Sequence, residues 1–123
     1  MQIIGTGFNV FKNGKVEGII KKVEKPKDVS SLFINSRNQL NKFIIVSTSG
    51  TATFVGPMLT GGVKGMIALT GAPESHLGLL LREYRIPSIM GFQLENIKFE
   101  DIKEGATLVM DCEGERVGKA YIK

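Results

Sequence analysis

His76 is the only histidine in the 123-residue chain, and it sits just after a turn and at the start of an amphipathic run. In that setting its imidazole is a candidate nucleophile. Gly71, Ala72 and Pro73 are turn formers, and Ser75 can cap a helix. Leu77, Leu80, Leu81 and Tyr84 then recur at helical spacing until Pro87 ends the run. Unpaired backbone N–H groups at a helix start favour an anion, so a phosphoryl group on the imidazole would sit in a stabilising field. Gly71, Glu74 and Ser75 are the nearest candidate neighbours of such a phosphate. A second candidate is the hydroxyl-rich run Ser47-Thr48-Ser49-Gly50-Thr51, whose Thr51 could donate an O–H to the same group. That run lacks the lysine and the spacing of a nucleotide-binding loop, so it is read as a wall of the phosphate site and no more.

Other chemistry-bearing residues are assigned plainer roles. Arg82 lies about a turn and a half beyond His76, on another side of an ideal helix. It is therefore expected to pair, with Glu83, to neighbouring charges rather than to reach the phosphate. Leu77, Leu79, Leu80 and Leu81 read as core and packing surface, although a helix apolar on more than one side can also meet a partner. Gly5-Thr6-Gly7 precedes no helix and lacks the third glycine of a dinucleotide site, so it reads as a strand irregularity. Cys112 is the single cysteine, which rules out an internal disulfide framework and offers no ligand cluster for zinc. No metal or cofactor site is expected on this chain.

The elements that must position His76 are those of a mixed α/β chain without repeats. Residues 2–11 and 15–23 read as strands joined in a hairpin at Asn13-Gly14. Residues 26–31 read as a loop, 31–41 as a helix and 43–47 as a buried strand. A short helix is expected over 52–59, a turn at Gly61-Gly62, and a strand over 63–70 ahead of the His76 loop. Strands over 88–91, 107–111 and 116–122 complete the reading. The strand–helix–strand order around His76 points to parallel pairing, and the hairpins to antiparallel pairing beside it.

Gly71, Ser75-His76, Arg82-Glu83 and Ile86-Pro87-Ser88-Ile89-Met90-Gly91 stand in the order of a known signature. The chain resembles the mobile phosphohistidine domain of phosphoenolpyruvate-utilising enzymes, a family that includes pyruvate phosphate dikinase, phosphoenolpyruvate synthase and Enzyme I of the sugar phosphotransferase system. Looser similarity runs from Phe43 to the C-terminus. The resemblance implies a swivelling β/β/α domain, a mixed sheet packed with helices, that moves between a nucleotide site and a substrate site. Its departures cluster beside the histidine. Glu74 stands where the family has threonine, Ala72 where it has a second glycine, and Leu77 and Gly78 where it has small residues. Glu74 could repel an incoming phosphate or could orient the imidazole by accepting its second N–H.

At this length the chain is expected to be one domain, 1–123, too small to hold a nucleotide-binding domain, a carrier and a substrate barrel together. The resemblance then implies a phosphoryl carrier with a transient phosphohistidine. Its partners would be an ATP-grasp nucleotide-binding protein and a substrate-binding phosphotransferase subunit, which would hold magnesium (Mg2+) and ATP or phosphoenolpyruvate. Turnover would need those partner chains. Alternatives are a non-catalytic binding or regulatory module of the same fold, or the swivelling subunit of a two-chain aconitase-like dehydratase. Net charge is +4, and six lysines lie between Lys12 and Lys27, which reads as the solvated face of a hairpin or a patch that steers toward an acidic partner. Without interleaved aromatics no nucleic-acid partner is expected. Neither a secretory leader nor a membrane span is read in the sequence, so a cytoplasmic protein is expected.

Overall fold

The computed structural model describes residues 2–49 and 61–123. Thr51 and the helix expected over 52–59 lie outside the described residues. Seven strands close into a barrel. They are β1 (Gln2–Asn9), β2 (Lys15–Val23), β3 (Phe43–Ser47), β4 (Gly65–Ala68), β5 (Ser88–Leu94), β6 (Thr107–Asp111) and β7 (Val117–Ile122). Around the barrel the order is β1-β5-β4-β3-β2-β6-β7, with β7 returning to β1. The stretch β2-β3-β4-β5 is parallel and the remaining pairs are antiparallel. The expected mixed sheet is present, but it is closed, and strand outweighs helix among the described residues.

Among the described residues, helices make two of the three parallel connections: α1 (Pro26–Ser36) between β2 and β3, and α2 (His76–Glu83) between β4 and β5. Side chains along the parallel strands alternate between two cores. Phe43, Ile45, Met66, Ala68 and Met90 face an outer core shared with Val29 and Leu32 of α1 and Leu77 and Leu81 of α2. Ile44, Val46, Ile67 and Ile89 face the barrel interior with Leu108, Met110 and Ala120. Strands covered on both faces read as continuous apolar runs, and every residue of β3 is buried.

The hairpin expected from Asn13-Gly14 does not form. β1 and β2 do not pair, because the β6–β7 hairpin is inserted between them: β2 pairs with β6, and β7 with β1. The connection instead crosses the end of that hairpin, with the Asn13 N–H donating to the Cys112 carbonyl at 2.7 Å and the Cys112 N–H donating to the Gly14 carbonyl at 3.3 Å. The loop expected over 26–31 is also corrected. Pro26 opens α1, where a missing backbone N–H costs nothing. The Asp28 carboxylate accepts from the Glu24 and Lys25 N–H groups at 2.9 and 3.0 Å, tying down the helix start. Those bonds, the one from Glu24 first, hold the Asp28 carboxyl below its ordinary value against the opposing effect of partial burial. The helix ends at Ser36, and a 3-10 helix covers Arg37–Lys42.

Candidate functional site

β2, β3 and β4 end together at one rim, since Val23 pairs with Ser47 and Ser47 with Ala68. Loops leaving the carboxyl ends of parallel strands are where α/β proteins place their ligands. The run at 47–49 and the loop at 69–75 both leave from this rim. Ser47 Oγ donates to the Ser49 carbonyl at 2.9 Å and accepts the Ser49 N–H at 3.1 Å. Thr70 Oγ1 donates to the Thr48 carbonyl at 3.3 Å. The start of the hydroxyl-rich run is thereby joined to the loop that leads to His76.

His76 is the first residue of α2 and is exposed. Ser75 caps the helix as its type predicts: its Oγ accepts the Gly78 N–H at 3.2 Å and donates to the Ala72 carbonyl at 2.6 Å. The Ser75 N–H reaches the same carbonyl at 3.0 Å, so the turn over 72–75 is locked. Ala72 is not among the residues with positive φ, so the departure from the family's second glycine asks nothing of the backbone. Gly71 does need its type, with φ at +94°. Gly78 needs its small size. A β-carbon there would lie 2.6 Å from the Pro73 carbonyl carbon, so the loop can fold against the first turn of α2 only over a glycine.

Glu74 is exposed and makes no hydrogen bond to His76. It lines a cleft of about 740 Å³ beside the loop, together with Ala72, Pro73, Arg82, Arg116 and the β1 end. Arg82 departs from the ion pair expected of it. Its guanidinium donates to the Val10 carbonyl at 2.7 Å, fastening α2 to the segment after β1; among the described residues the ion pair is Lys123 with Glu17. Leu77 and Leu81 are buried, whereas Leu79 and Tyr84 are half exposed. Burial, with Asp111 adding, pushes the Cys112 thiol up to about 12. It is therefore no second nucleophile.

α2 ends by a route that Pro87 alone does not reveal. Arg85 adopts φ +57°, the Ile86 N–H donates to the Leu81 carbonyl at 2.9 Å, and the Arg85 N–H to the Arg82 carbonyl at 3.1 Å. This is a Schellman closure with arginine in the position glycine usually takes. Asn9, Val10, Phe8 and Arg116, which help build the cleft beside the His76 loop, carry no signal in the sequence. Only the β1–β7 pairing brings them together, and no local pattern encodes it.

Among the described residues no helix is long and apolar enough to cross a membrane. The family model described as PEP-utilising enzyme, mobile domain, matches residues 40–114, more than half of the chain, with Gly71, Glu74, Ser75 and His76 inside the match. A search of curated proteins finds no match.

Proposed function

Because this chain belongs to the family of mobile domains of PEP-utilising enzymes, we propose that it is a phosphoryl carrier and that the His76 imidazole holds the phosphoryl group in transit. The observation that carries this reading is the placement of His76: exposed, first in a capped helix, and on the loop side of the parallel-strand rim. A nitrogen lone pair attacks phosphorus, the N–P bond forms, and the P–O bond to the donor breaks with its electron pair leaving on oxygen. The helix start then faces the added negative charge with its positive end. Exposure lets the same group present itself to a donor site and afterwards to an acceptor site.

Donor, acceptor and magnesium are assigned to partner proteins, of the ATP-grasp type for the nucleotide and of the substrate-binding phosphotransferase type for the acceptor. The partner groups would supply the charge neutralisation that dominates phosphoryl transfer. Membership of this family favours the carrier over the aconitase-like lyase subunit. The test supplies labelled ATP and labelled phosphoenolpyruvate in separate arms, with an extract of the protein's own cells as the source of partners. One arm should give an acid-labile, base-stable label that His76→Ala abolishes. A label of that kind surviving in His76→Ala would remove the carrier reading.

A further inference from the structure

The cleft beside the His76 loop carries features that phosphoryl transfer does not use. Asn9 lines it and is only 5% exposed. Its Nδ2 donates to the Cys112 carbonyl at 2.9 Å and the Gly114 carbonyl at 2.6 Å, and two carbonyl acceptors fix the amide in this orientation. Among the described residues Oδ1 is a buried oxygen with no hydrogen-bond partner, an arrangement that costs free energy and is held by the two Nδ2 bonds. Glu74 and Glu115 add two carboxylates to the lining, Arg82 and Arg116 two guanidinium groups. Arg82 is held in place by its bond to Val10 and has further N–H groups to offer. Phe8 and Val117, cross-strand partners on β1 and β7, line the cleft while 56% and 59% exposed.

The geometry points to a binding site for a small zwitterion, a free α-amino acid with an apolar side chain. The arginines take its carboxylate. The glutamates take its ammonium against a wall that Asn9 helps to form, and its side chain lies on Phe8 and Val117. Balanced charge argues against a phosphate or a nucleotide, which two carboxylates would repel. A volume of about 740 Å³ lies within the usual range of small-molecule sites, roughly 300–1,000 Å³. The inference stands apart from the carrier reading, and its test involves no phosphoryl donor.

The unmodified protein is titrated with L-leucine and followed by amide NMR. Resonances of Asn9, Ala72, Glu74 and Val117 should shift together. N-acetyl-L-leucine, L-leucinamide and the trimethylammonium analogue of leucine each remove the ammonium charge, the carboxylate or the N–H donors. Each should bind about ten-fold more weakly, the loss of one charge-assisted contact. Arg116→Gln should weaken L-leucine by a similar factor while leaving thermal unfolding unchanged, since Arg116 is exposed. The inference is overturned by no shift at about 10 mM L-leucine, well above the ~1 mM dissociation constant of a weak site. It is equally overturned by any analogue that binds as tightly as L-leucine, or by unchanged affinity in Arg116→Gln.

Discussion

A β-carbon on Gly91 would sit 3.2 Å from the carbonyl oxygen of Gly71, so the two ends of the His76 signature clasp each other across the start of the loop. Gly91 also holds φ at +59°, a region costly for any residue with a side chain. Gly91→Ala should therefore lose about 1 kcal/mol of stability, the left-handed penalty less the entropy gained in the unfolded chain. Urea unfolding measures the loss, and labelling of His76 should slow in the same variant.

Gly78→Ala separates helix propensity from packing. Propensity alone predicts a gain of about 1 kcal/mol for alanine inside a helix. Overlap with the Pro73 backbone reverses the sign, and a loss of about 1–3 kcal/mol is expected, as for other overpacked sites. A stabilised Gly78→Ala protein would show that the loop does not press on α2.

Arg85→Gly should act in the opposite direction. Arg85 closes α2 with φ +57° and is exposed, so glycine relieves backbone strain and removes no buried contact. A gain of about 0.5–1 kcal/mol is expected after the entropy of the unfolded glycine is subtracted. Differential scanning calorimetry at neutral pH reads it as a raised Tm.

Asp28 gives a pH signature. Its folded carboxyl is held below the ordinary 3.8, chiefly by the Glu24 N–H. A carboxyl depressed on folding contributes stability above its unfolded value and loses it as pH falls through the folded one. Asp28→Asn should thus lower the Tm at neutral pH, with the gap from the parent protein narrowing as pH drops below 3.8. A gap that stays constant into acid would show that the carboxylate charge has no part in capping α1.

What could be read along the chain was local. The bounds of β3 and β6 follow from apolar runs between turn residues, and Ser75 as a cap follows from its type and place. Local patterns mislead chiefly where distant segments decide the outcome, and once, at α1, where a short-range bond replaces the usual cap. Asn13-Gly14 has the composition of a hairpin turn, yet the β6–β7 hairpin takes the edges that β1 and β2 would have shared. α1 begins at Pro26 through a carboxylate reaching back from Asp28, and Lys25 before it gives no capping signal. Arg82 found a backbone carbonyl from β1's end in place of an acidic partner. Asn9 matters for the same reason: its two partners lie on the far side of the sequence.

Whether His76 carries a phosphoryl group is read from the modification state of the protein in cells that make it. Cells are lysed in alkali, which preserves a phosphoramidate bond, and the protein is digested and mapped by mass spectrometry. A phosphoryl group is expected on the peptide containing His76, localised to the imidazole, lost on brief acid treatment and missing from His76→Ala. Unmodified His76 in actively metabolising cells, or an acid-labile phosphoryl group on the same peptide in His76→Ala, would contradict it.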